Sequence, residues 1–170
     1  MNSQAMVMTD LADAQPVPIR AHGAVTRRLG HWTVSRDFDV RASRGVVTLD
    51  LRSTQIPPGD IEIHLDIDHA VVRLLVPDGA VVDSDEIRRV GRGRVKDWFC
   101  PAGGSGGSSP GASTAGGRRI VLGGEMRHGE VRVYRGGIAI LAAMGSREYL
   151  ADARRARREG RLPTTCDPSR

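Results

Sequence analysis

This sequence predicts an all-β fold: a short right-handed parallel β-solenoid-like domain closed by a C-terminal capping α-helix. Three observations carry that prediction. Apolar residues alternate strictly over Ile61, Ile63, Leu65 and Ile67, with Asp60, Glu62, His64, Asp66 and Asp68 between them, the pattern of a strand with one wet face. A unit of the form "turn, then x-β-x-β-x" restarts at Gly45, Gly59, Gly79, Gly93 and Gly129, several starts lying about 14–20 residues apart with no helical pattern between them. Aromatic residues are only 4 % of the chain, which suits a narrow core filled by stacked aliphatic side chains. An antiparallel β-sandwich is the alternative. The one Asp-Gly pair, Asp78-Gly79, follows a proline and leads into a short run, which makes a poor two-residue hairpin.

Residues 1–30 read as a weakly ordered segment, because Pro16 and Pro18 stop any helical turn begun at Met6–Leu11. The domain proper is expected over 31–145. Its strands fall at Gly45–Leu51, Gly59–Ile67 and Val71–Val76, with shorter candidates at Ala80–Val82, Arg94–Trp98, Arg119–Leu122 and Glu130–Tyr134. Residues 101–117 hold mostly Gly and Ser and no side chains that build a core, so they read as a disordered insertion within one domain. Gly123-Gly124 and Gly136-Gly137 read as turns. Residues 146–160 form the one good helix, with Ser146 as N-cap and Gly160 then Pro163 at its end, and 161–170 a flexible tail.

Charge narrows the function classes. The chain has 170 residues and a net charge of +5, and Lys96 is its only lysine, so the basicity is arginine. Residues 45–99 carry seven bases and ten acids, whereas residues 100–170 carry twelve and six. The C-terminal helix places Arg147, Arg154, Arg158 and Arg161 on one stripe, and Tyr149, Leu150, Ala153 and Ala156 on another. An arginine face attracts polyanions, so these four residues are the candidate contacts for an anionic partner, with Glu148, Asp152 and Glu159 diluting the effect. The partner is expected to be a protein or the inner membrane surface. Nucleic acid is the weaker expectation, since stacking aromatics are few.

Candidate chemistry is sparse. His64, Asp66 and Asp68 share a strand face and could serve a metal-assisted hydrolase. Neighbours on one face stand about 6.5–7 Å apart, however, and outward alternation alone predicts the same letters. Gly91-Arg-Gly-Arg-Val-Lys96 matches neither the dinucleotide fingerprint nor the P-loop. Cys100 and Cys166 make neither a disulfide framework nor a metal site, and no base is assignable to activate Cys100. No catalytic, cofactor-binding or metal-binding residue is therefore assigned, and no enzymatic activity or cofactor is expected. No apolar run reaches the 18 or so residues of a membrane helix, and no secretory signal is evident, so a cytoplasmic protein is expected, with peripheral attachment to the membrane as its variant.

The segments Gly45-Val-Val-Thr-Leu-Asp-Leu51, Gly59-Asp-Ile-Glu-Ile63, Ala70-Val-Val-Arg-Leu-Leu-Val-Pro77 and Arg89-Val-Gly-Arg-Gly-Arg-Val-Lys-Asp97 carry a resemblance. So do Arg135-Gly-Gly-Ile-Ala-Ile-Leu141 and Ser146-Arg-Glu-Tyr-Leu-Ala-Asp-Ala153. Together the chain resembles, from about Trp32 to Arg161, the C-terminal domain of LiaF-type cell-wall-active-antibiotic response proteins and their actinobacterial relatives. That resemblance implies a β-solenoid-like body, a role in sensing or relaying envelope stress, and no catalytic residues. LiaF-type proteins carry membrane helices ahead of this domain and this sequence shows none, so tethering is not carried over. The expected function is a non-enzymatic interaction or regulatory module. A self-associating structural solenoid is the alternative.

Overall fold

The computed structural model describes residues 15–97, 118–161 and 163. The Gly/Ser insertion, Cys100, Cys166 and most of the C-terminal tail lie outside them. Ten strands and two helices follow in chain order. The strands are β1 (Val17–His22), β2 (Val25–Arg28), β3 (Asp37–Ser43), β4 (Val46–Asp50), β5 (Ile61–Asp68), β6 (Val71–Leu75), β7 (Val81–Val90), β8 (Arg94–Asp97), β9 (Arg119–Arg127) and β10 (Glu130–Tyr134). The helices are α1 (Gly136–Met144) and α2 (Arg147–Glu159).

Odd-numbered strands form one five-stranded sheet and even-numbered strands a second, and the strand pairings in both are parallel. The antiparallel sandwich is thereby overturned. Each corner passes the chain from one sheet into the other, so consecutive strands never pair with each other. Here the first turn residue is Gly23, Arg44, His69 or His128, each with φ between 49° and 60°. The amide of each donates to the neighbouring strand pair: Gly23 to Ser43, Arg44 to Asp68, His69 to Arg127, and His128 to Val90. The ladder thus runs unbroken around the corner.

The two sheets share one aliphatic core. Ile61, Ile63, Leu65 and Ile67 of β5 are buried, as the alternation requires, against Val72 and Leu74 of β6 and their equivalents on neighbouring strands. Burying a side chain of this size stabilises by roughly 1.5–3 kcal/mol. Residues 17–28 belong to this body, and the weak order expected for 1–30 does not hold there. Val17, Ile19 and Ala21 point inward, and Pro18 is accommodated because β1 is an edge strand.

The order of the strand pairs departs from the chain order. The sheets read β1-β3-β5-β9-β7 and β2-β4-β6-β10-β8, so the fifth pair (β9–β10) lies between the third (β5–β6) and the fourth (β7–β8). Arg118, entering β9, donates to the carbonyls of Leu51 and Ile56 at 3.2 and 2.9 Å, and its burial lowers its pKa. Arg135, leaving β10, binds the Asp97 carboxylate and the Ala80 carbonyl. Gly123 and Gly124 lie inside β9, not at a turn. A Cβ on Gly124, whose φ is +106°, would stand 2.2 Å from the Leu65 carbonyl oxygen, so glycine permits the close approach. Opposite it, β7 carries a register shift between Asp83 and Glu86. That irregularity and the charges of Asp83–Arg89 hide β7, which runs well beyond the three residues its sequence suggests.

Candidate interaction surface

Along β6, Val72 and Leu74 enter the shared core, so Leu75 points to the outer side of the second sheet, where α1 buries it under Ala139 and Ala143. Leu29 and Tyr134 complete this small cluster. The helix pair therefore lies on the outer side of the second sheet, at the ends of its strands, and not over one end of the stack as a capping helix would. The sequence-based reading missed α1 because Gly136-Gly137 suggested a turn. Its helical signal is the run Ile-Ala-Ile-Leu-Ala-Ala-Met, rich in good helix formers.

Only Ala139 and Ala143 of α1 are buried. Ile138, Leu141 and Met144 stand exposed, Leu141 to 70 %. At about 100° per residue Ile138 and Leu141 lie on one stripe with Met144 at its margin. Leu150 of α2 is exposed as well.

α2 spans Arg147–Glu159, as the sequence indicates. The Ser146 hydroxyl accepts from the Tyr149 amide at 3.1 Å and donates to the Ala143 carbonyl at 2.6 Å, so one side chain starts α2 and closes α1. Gly160 ends α2 in the left-handed conformation. The predicted apolar stripe divides: Ala156 is buried, Tyr149 and Ala153 are half-buried, and Leu150 faces out.

Arg147, Arg154 and Arg158 lie within about 40° of one another on the helical wheel, on the side away from Ala156, and all three are exposed. Arg161 differs. It folds back onto Asp152 and Glu159, both at 2.8 Å. Glu148 faces Arg27 of β2 at 3.8 Å. The three acids expected to dilute the basic face are therefore engaged with Arg27 and Arg161. Arg147, Arg154, Arg155, Arg157 and Arg158 make no ion pair among the described residues.

The second sheet extends the positive charge. Arg27, Arg73, Arg132 and Lys96 occupy one register row on its outer side, interrupted by Thr48. Beside that row Glu130 receives Arg132 at 2.7 Å and Lys96 at 3.0 Å, with Arg94 at 3.7 Å. The Arg132 hydrogen bond and, after it, the Lys96 contact hold the Glu130 carboxyl at about 2, against an ordinary 4.5 and despite opposing desolvation.

The outer side of the first sheet is mixed in sign. His64 is exposed in a row with Asp39 and Gly123, Asp66 lies between Arg41 and Glu125, and Asp68 lies between Ser43 and Arg127. Asp66 and Asp68 therefore each have an arginine on one neighbouring strand, and among the described residues His64 belongs to no group of three metal-ligating side chains. Asp68 instead meets two residues that escaped the sequence reading, His69 and His128. The signal for them was the repeated corner: Asp68-His69-Ala70 and Arg127-His128-Gly129 occupy equivalent turns.

Among the described residues no helix is long and apolar enough to cross a membrane. Compared with known proteins, the chain matches no family model, no curated protein and no solved structure.

Proposed function

We propose that this protein is a non-enzymatic interaction module, with a right-handed β-solenoid as its body, that docks on an anionic lipid surface through α1 and α2. The observation that carries this reading is the pairing of exposed Ile138, Leu141 and Met144 with an α2 arginine face whose acids are engaged elsewhere. Interfacial binding needs both parts: apolar side chains that enter the headgroup boundary, and basic residues that add about 1 kcal/mol each near an anionic leaflet. The arginines of the second sheet enlarge the field that draws the protein toward such a surface. The resemblance to LiaF-type proteins is what supports reading this docking as cytoplasmic, at the inner membrane face, and as part of an envelope-stress response.

Self-association of stacked bodies is the reading that the edges oppose. The β1 edge carries Pro18, and the β7 edge carries a bulge and a run of charges, both of which discourage strand addition.

The test is co-sedimentation of the full chain with phosphatidylglycerol-containing and with purely phosphatidylcholine vesicles. Binding is expected on the anionic vesicles alone, reduced at near-physiological salt, and lost in both Leu141→Asp and the double variant Arg154→Glu/Arg158→Glu. Equal binding to neutral vesicles, indifference to either variant, or no binding at low salt overturns the lipid reading. The last outcome directs the search to a protein with an acidic, apolar groove.

A further inference from the structure

The tight corner joining the two sheets stacks five equivalent left-handed residues, in spatial order Gly23, Arg44, His69, His128 and Gly91. The two ends of this column use glycine, which meets no steric penalty there. The third and fourth places hold histidine, each with φ near 50°, a conformation that costs an ordinary L-residue on the order of 1 kcal/mol. The two rings stack with centroids 4.9 Å apart and planes 19° from parallel. Asp68, immediately before the first, contacts His69 Nδ1 through Oδ1 at 2.7 Å. Asp68, His69 and His128 each offer one ligand atom, and these atoms lie within 4.8 Å of one another.

We propose that Asp68, His69 and His128 bind a borderline divalent cation such as Zn2+. Two imidazoles and a carboxylate are a donor set suited to such an ion, and three protein ligands leave a position for water. Around a tetrahedral zinc, ligand atoms stand about 3.4 Å apart, so the most distant pair has to close by at most about 1.4 Å, while Asp68 Oδ1 and His69 Nδ1, at 2.7 Å, have to part by about 0.7 Å. Asp68 and His69 have the freedom to do so, since their side chains are half exposed or more. Of the flanking cations, Arg127 is held on Glu125, and Arg44 is an exposed long side chain one strand pair away. His69 belongs to the third strand pair and His128 to the inserted fifth, so a bound ion staples the inserted pair to its neighbour. This site stands apart from the helices and does not depend on the lipid reading.

Isothermal titration of tag-free, full-length protein with Zn2+ tests the site, together with thermal melting of the same samples. One ion per chain and a raised melting temperature are expected. His69→Asn and His128→Asn are each expected to weaken binding about tenfold or more, since asparagine keeps the left-handed corner but loses the imidazole. His64→Ala and Asp66→Asn are expected to bind as the parent does. Where an asparagine variant fails to fold, His69→Gly or His128→Gly restores the residue used at the column ends. No zinc uptake by the parent, unchanged affinity in the corner variants, or loss of binding in His64→Ala overturns the proposal.

Discussion

The first three strand pairs and the last two are built on the same plan but stacked in different order. In β1–β6, spatial order follows chain order, and every strand but β2 shows its buried face as apolar residues on one side. In β7–β10 the order is exchanged, the edge strand β7 is bulged and charged, and β9 carries two glycines where its neighbours carry side chains. Local pattern reports which face of a strand is buried, and is silent on which strand lies beside it. Adjacency here is set by side chains that reach across layers, Arg118 to the 51–56 loop and Arg135 to Asp97, and by the backbone approach at Gly124.

Gly124→Ala should have the largest effect. The added Cβ strikes the Leu65 backbone at a φ that L-residues avoid, so the inserted pair loses its fit against the third. A loss of about 3 kcal/mol or more is expected in urea unfolding. A near-neutral result would show that the exchanged pair is not seated on β5 in this way.

A second effect is confined to low pH. With its folded pKa near 2 and an unfolded value near 4.5, Glu130 contributes stability that is complete above about pH 5 and is lost as pH falls from 4.5 through 2. The amount is at most about 3 kcal/mol, and solvent screening reduces it. Unfolding midpoints measured across that window should fall steeply in the parent and much less in Glu130→Gln. If the two profiles coincide, Glu130 is not what ties β10 to β8.

Ser146→Ala should have the smallest effect and leave both halves of the stack intact. Losing the cap costs about 1 kcal/mol and is expected to appear as reduced helical ellipticity with the strand signal unchanged. A loss of strand signal as well would mean that the helices hold the sheets together.

Particular residues explain what the sequence disclosed. Ile61 to Ile67 announced β5, and Ser146 with Gly160 announced α2, because a period of two and a pair of caps are local signals. α1 did not announce itself and β7 did so only over Ala80–Val82: one begins at paired glycines that mimic a turn, and the other is an edge whose outward charges mask Ile87. The arginine stripe was legible, but the engagement of Glu148 with Arg27 was not, since it joins residues distant in the chain. The corner histidines were hidden in the same way, their stacking depending on the exchanged order.

That order has a consequence for synthesis. As the chain leaves the ribosome, the third pair emerges complete with one edge bare, and the fourth follows before the pair that will lie between them. Until residues 119–134 emerge, β5 and β6 lack their permanent neighbour, and β7–β8 cannot take its final place. Of the ten described strands, the last two made are therefore the ones that fill the gap between the third pair and the fourth, and their arrival decides when an open template edge disappears.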